Sequence, residues 1–241
     1  MVYRSRRRSS ERKALVPPPP RGTSDRDKAK DALIALLMQH PFEEIGLAEV
    51  AGRAGLKLTA LRAEFGSTLA IWAAHIKDID NAVLSADTAD MAEEPYRERL
   101  FDVEMRRIEA MTPYREATRS MMHSARRNPL LALALNALAL RSQTWMLETA
   151  GISASGPRGM MRAQGAAVLF ARTVKAWLDA DDEEANDKAM AVLDKGLISA
   201  ERWDGFMRDL CALPCCVLRG PPRRHRRRPP LDEGAAEANA A

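Results

Sequence analysis

Residues Pro41–Ile71 read PFEEIGLAEVAGRAGLKLTALRAEFGSTLAI. Within this stretch Leu47, Val50, Ala51 and Ala54 recur at helical spacing and give a short helix one apolar face. Gly55 interrupts the period where a tight turn needs a residue that tolerates positive φ. A second apolar period follows in Leu58, Leu61 and Phe65. Short helices joined by a glycine-containing turn form the helix-turn-helix, the arrangement that presents its second helix to the DNA major groove. A helical hairpin in any all-α protein shares this period, so the particular residues must carry the rest of the reading.

Outward from the hairpin, helical signals continue in both directions. Ser24, with Asp27 three residues on, caps a helix carrying Ala29, Leu33, Leu36 and Leu37 on one side and stopping at His40-Pro41. Phe42 and Ile45 plug the small three-helix core. Thr68 to about Ser85 forms a longer helix through Leu69, Trp72, Ile76, Ile79 and Val83. Later helices end at Thr112-Pro113 and at Asn128-Pro129, and the latter pair also caps and starts the next one. Ala, Leu, Met, Arg and Glu dominate while β-branched and aromatic residues are scarce, so the chain reads as all-α. Four segments result: a basic, Pro-rich arm over 1–23, read as disordered; a helix-turn-helix domain over 24–70; a helical bundle over 71–205, to which the family resemblance given below assigns ligand binding and dimerisation; and a disordered Arg/Pro-rich tail over 206–241.

The hairpin residues add a resemblance. Leu47-x-x-Val50-Ala51-x-x-Ala54-Gly55-Leu56, followed by Leu61 and Phe65-x-Ser67, resembles the DNA-binding domain of the TetR family, over about residues 25–85. The resemblance implies a TetR-like all-α fold, a homodimer paired through helices near 158–180 and 184–200, a double-stranded DNA operator and a small-molecule effector. It also implies roles for residues. Lys57, Thr59, Ala60 and Arg62 are the base-reading candidates on the second hairpin helix. Thr68, Arg53 and Arg26, with Arg21 of the arm, are the phosphate candidates. The chain departs from that family at several of these positions. Lys57 stands where the family has a Ser or Thr cap, Arg62 and Glu64 stand in the run where it has tyrosines, and Thr68 stands where it has lysine. Arg62 offers a charged phosphate contact, whereas Glu64 presents a like charge to phosphate.

Charge and composition limit the other classes. Net charge is only +4, yet arginines crowd both ends, at Arg4–Arg12 and Arg219–Arg228. Such tails suit nucleic acid or an anionic surface, and equally a solubilising role. Cys211, Cys215 and Cys216 make no disulfide framework and fit a reducing cytoplasm. The most apolar run, Leu130–Leu140, is short against the roughly 20 residues a bilayer crossing takes. His40, His75, His123 and His225 are isolated and no phosphate-binding glycine loop occurs, so neither a catalytic residue nor a metal or cofactor is assigned. The acids from Asp179 to Glu184 are read as complementing the dipole of the next helix.

In the bundle Met121, Met122, Trp145, Met146, Met161, Phe170 and Trp177, with Met160, are soft, large side chains suited to an apolar or lipid-like effector, or to ordinary core packing. No buried charged constellation is visible in the sequence, and Arg141 and Arg172 either anchor a head group or pair with neighbouring acids. Leu169-Phe170-Ala171-Arg172, Ala176-Trp177-Leu178-Asp179 and Ala191-Val192-Leu193-Asp194 resemble the C-terminal part of coenzyme Q biosynthesis accessory proteins. That resemblance implies isoprenoid lipid binding with a vestigial hairpin, an alternative to the non-enzymatic DNA-binding regulator that the hairpin implies.

Overall fold

The computed structural model describes the backbone of residues 24–86 and 93–218, and the side chains as far as residue 201. The basic arm over 1–23 and the end of the tail over 219–241 lie outside the described residues. Ser24 Oγ accepts the Asp27 amide at 3.1 Å and so begins α1 (Asp25–Leu37). A 3-10 turn, Phe42–Glu44, leads into α2 (Leu47–Ala54). Gly55 closes α2 with φ +66°, and the Leu56 amide reaches back to the Ala51 carbonyl at 2.9 Å. α3 (Leu58–Glu64) follows, then α4 (Thr68–Leu84), whose first turn is capped by Ser67 Oγ on the Ala70 amide. Next come α5 (Tyr96–Met111), α6 (Arg115–Arg127), α7 (Pro129–Thr149), α8 (Gly156–Asp179) and α9 (Ala185–Leu218). Asn128 caps α7 by accepting the Leu130 and Leu131 amides. Among the described residues there is no strand, in line with the all-α composition.

The hairpin does not close on its own core. Ala29, Leu33, Leu37, Val50, Leu61 and Phe65 are buried in one cluster that also takes in Ala117 and Met121 of α6 and Leu131 of α7. The Leu, Val, Phe and Met side chains among them each stabilise by roughly 1.5–3 kcal/mol when fully buried. Polar ties run in parallel. Ser124 Oγ on α6 accepts the Phe42 amide at 3.1 Å, and Ser120 Oγ donates to the His40 carbonyl at 3.2 Å. The buried Lys30 pairs with Asp27 on its own helix and with Asp78 on α4.

In the bundle, Phe170, Val174 and Trp177 of α8 pack with Ile79, Ile108 and Met111. Leu100, Leu147, Ala163 and Leu193 form a further cluster. α8 and α9 approach closely at Gly196, where an added Cβ would lie 2.1 Å from Leu169. Two arginines of α6 finish α8: Arg115 donates to the Trp177 and Ala180 carbonyls and Arg119 to that of Leu178. The acidic run beyond α8 is tied by ion pairs as well as by the following helix, Asp182 to Arg115, Asp179 to Lys175 and Glu184 to Lys188.

Several expectations change. The short apolar run at Leu130–Leu140 is part of a 21-residue helix, long and apolar enough to cross a membrane by length and composition alone. Here α7 packs against α4, α5, α6 and α8, and buries Ser142 and Gln143 among them. The backbone of α9 continues past 206 to Leu218, so the tail is helical over 206–218. By compactness, 1–198 and 199–241 divide into separate units.

The bundle also holds the buried charges that the sequence did not reveal. Asp80 on α4 lies with Oδ1 3.0 Å from Arg107 Nε on α5, an ion pair whose angle is too poor for a hydrogen bond, and its Oδ2 accepts Ser142 Oγ of α7 at 2.5 Å. The Arg107 guanidinium sits 4.3 Å over the Phe170 ring. Glu104, one turn before Arg107, is 3% exposed and its Oε2 has no hydrogen-bond partner. Burial pushes its carboxyl up to about 7, against the opposing pull of Arg107 and Gln143 and with a smaller push from Asp80. Gln143 is near enough to moderate the shift, yet its amide completes no hydrogen bond of normal geometry.

Two stability measurements follow from these features. Nothing lies within 4 Å of a Cβ added at Gly55, so Gly55→Ala should cost only the left-handed backbone strain, about 1–2 kcal/mol in urea denaturation. An unchanged midpoint would rule out the left-handed turn. Glu104 titrates at 4.5 when unfolded and at about 7 when folded. Between those values the folded state keeps a proton that the unfolded state has lost, so stability falls as pH rises through the window. The loss is roughly 3 kcal/mol and is complete above the folded value. Glu104→Gln should flatten this part of the stability profile and exceed the parent at pH 8; a parent with no such decline would contradict the buried acid.

Candidate nucleic-acid interface

α3 is held from one side. Leu61 and Phe65 are 1% and 4% exposed and anchor it against α1 and α2, which leaves the other side outward. Lys57, Thr59 and Arg62 are exposed there, while Ala60 is half-buried and has little surface to offer a base. Lys57 is the N-cap residue of α3 and supplies no capping hydrogen bond, so the first amides of the helix keep their outward partial positive charge. Thr59 and Arg62 open onto a groove of about 460 Å³, shared with Leu47, Ala48, Leu58, Leu61 and Phe65.

Leu58 corrects the sequence reading. Its spacing to Leu61 and Phe65 placed it in the core, yet it is 54% exposed. It starts α3, where the first turn overhangs the groove and no neighbouring helix covers it. Leu58 and Ala48 are therefore groove residues: helical spacing does not tell which apolar residue a neighbouring helix covers, and Ala48 lies outside the apolar period of α2.

The phosphate candidates divide. Arg53 is exposed in the last turn of α2 and does not line the groove. Thr68 is half-buried at the first position of α4, just after the Ser67 cap. Arg26 is already engaged, 4.8 Å over the Phe65 ring and 3.7 Å from Glu64. The pair answers the Glu64 carboxylate that would otherwise oppose phosphate, although exposed pairs of this kind hold weakly. Arg21 lies outside the described residues.

The effector candidates do not converge. Met121 belongs to the hairpin cluster, Phe170 and Trp177 to a second, and Met146 to a third with Val83 and Val103. Met122 is half-buried, while Trp145, Met160 and Met161 are 56%, 64% and 62% exposed. Arg141 and Arg172 are exposed. The bundle instead has a cavity of about 10 Å³ bounded by Leu100, Glu104, Ala166, Leu169, Phe170, Leu193 and Leu197. A single water is the most such a space admits.

No protein-family model and no curated protein sequence matches the chain. Solved structures do. A TetR transcriptional regulator from Nitrosomonas europaea ATCC 19718 aligns with a TM-score of 0.55 at 18% identity, over 73% of this chain and 97% of that one. A TetR transcriptional regulator from Rhodococcus sp. RHA1 aligns with a TM-score of 0.51 at 17% identity, over 74% and 97%. At this identity the likeness is one of architecture: the chain has the all-α, TetR-like fold.

Proposed function

We propose that the chain is a TetR-like transcriptional regulator that binds double-stranded DNA through α3 and works in the cytoplasm as a homodimer controlled by a ligand in the bundle. The observation that carries this reading is the outward face of α3, where Lys57, Thr59 and Arg62 are exposed on the second helix of a helix-turn-helix. Arg62 has the reach and donor geometry for a guanine edge or a phosphate, and Thr59 and Leu58 suit a thymine methyl. Arg53, Thr68 and the uncapped start of α3 are the backbone contacts. Exposed Met161 and Val168 on α8 and Met190 on α9 support pairing of two copies along those helices. Two hairpins would then address half-sites about one helical turn apart.

Coupling between ligand and DNA has a physical route. α4 carries Asp80 at the bundle centre and begins at the hairpin, and α6 ties its Ser120 and Ser124 to the segment before α2. A ligand that shifts either helix would move α3 relative to its half-site. The quinone-accessory reading, with an isoprenoid lipid in the bundle and an idle hairpin, is less favoured. No Met or Trp candidate lines the small bundle cavity, Gly55 keeps the left-handed turn of the hairpin, and Arg62 is exposed on α3.

The decisive experiment is binding of the purified protein to its own upstream DNA across a salt series. Sequence-selective binding should weaken with salt, with a slope of about 0.9 per phosphate contact on logarithmic axes. Arg62→Ala should reduce affinity for that DNA by roughly tenfold or more. Affinity equal to that for random DNA would sink the reading. Lys57→Thr should act in opposite directions, stabilising the fold by about 1 kcal/mol through the restored cap while weakening DNA binding.

A further inference from the structure

The polar cluster between α4, α5 and α7 is unbalanced. Asp80, Glu104, Arg107, Ser142 and Gln143 are all buried, but the charge of Arg107 is met by Asp80 and its flat face by Phe170. That leaves the Glu104 carboxyl with no counter-charge of its own. Glu104 Oε2, Arg107 Nη1 and both atoms of the Gln143 amide have no hydrogen-bond partner. Unsatisfied groups of this kind cost about 1–3 kcal/mol each, so a group able to satisfy several at once gains strongly by entering. Glu104 also forms part of the wall of the bundle cavity, whose other lining residues are apolar.

We propose that this cluster is the effector site and that it recognises a small organic cation with an apolar body, an amine or amidine, whose charge is taken by Glu104 and whose N–H groups are shared with Gln143 Oε1. An anion would meet both Asp80 and Glu104. A neutral ligand would satisfy Gln143 but bring no counter-charge to an ionised Glu104. Asp80 and Arg107 offset one another, so the ionised Glu104 leaves one net negative charge in the apolar core, and the cation offsets it. Its apolar body would lie along Leu100, Leu169, Phe170 and Leu193. Because the cavity is only about 10 Å³, entry has to displace these side chains, which belong to α5, α8 and α9. Binding is thereby coupled to a shift of the helices. The inference depends on the regulator reading for the consequence of that shift, release or capture of DNA, while the site itself stands on the bundle alone.

The test is calorimetric titration of the full-length protein, without DNA, by benzylamine, benzyl alcohol and benzoate at pH 6 and pH 8. Benzylamine should bind and the other two should not. Its affinity should be about tenfold higher at pH 8 because Glu104 must be ionised to receive it. The charged and titratable groups around Glu104 are Arg107 on its own helix and Asp80 from α4. α7 contributes the neutral Gln143, and the parts of α8 and α9 that line the cavity are apolar. Glu104→Gln should lower benzylamine affinity at least tenfold and remove the pH dependence, and Gln143→Leu should lower it by about fivefold. Thermal unfolding of each variant establishes that it is folded. Equal binding of benzyl alcohol or benzoate, unchanged binding by folded Glu104→Gln, or no binding of benzylamine would each overturn the proposal. Since no DNA is present, any of these leaves DNA recognition standing, and failure to bind DNA leaves the cation site standing.

Discussion

Arg107 is a fixed cation inside an apolar bundle, and the rest of the structure is arranged around answering it. A buried guanidinium without a counter-charge costs far more than a helix contact returns, so α4 must bring Asp80 to it. That requirement sets the register of α4 against α5. Ser142 completes the Asp80 carboxylate and so sets α7, and Phe170 covers the guanidinium face and sets α8. The same arrangement leaves Glu104 as the member whose charge nothing offsets, which is why its proton is held near neutrality.

The hairpin is bound into this arrangement and does not swing from a linker. Its core is continuous with α6 and α7, Lys30 reaches across to Asp78 on α4, and Ser124 holds the amide that precedes α2. α4 therefore has the bundle charge pair toward one end and the hairpin at the other. Packed side chains and helix backbone run from the neighbourhood of Arg107 to the hairpin core. α6 provides a parallel path, because Arg115 and Arg119 clasp the end of α8 while Ser120 and Ser124 hold the hairpin.

Large apolar side chains also stand on the surface. Leu58 opens the groove beside α3, and Met160, Met161 and Val168 stand out from α8. Trp145 and Leu133 are exposed on α7. The Met and Trp side chains that the sequence offers either to an effector or to ordinary core packing are shared among three cores and the surface. Large apolar side chains are equally at home in a core, a cavity wall or an interface, and spacing along one helix does not distinguish these.

What the sequence determined by itself was the punctuation of the fold. Ser24, Gly55 and Asn128-Pro129 act through hydrogen bonds and backbone preferences within a few residues, so their consequences can be read locally, and the helix-turn-helix with its exposed Lys57, Thr59 and Arg62 was legible for that reason. Tertiary structure alone decided which charges are buried. Glu104 and Arg107 sit at a spacing that ordinarily marks a solvated pair on a helix face, in a helix whose sequence is largely polar. Only the packing of α4, α7 and α8 around α5 turns that face inward, because burial is a property of neighbours brought together from distant parts of the chain. The same holds for Arg26, which pairs with Glu64 of α3, and for Leu58, left exposed beside a groove it shares with the start of α2.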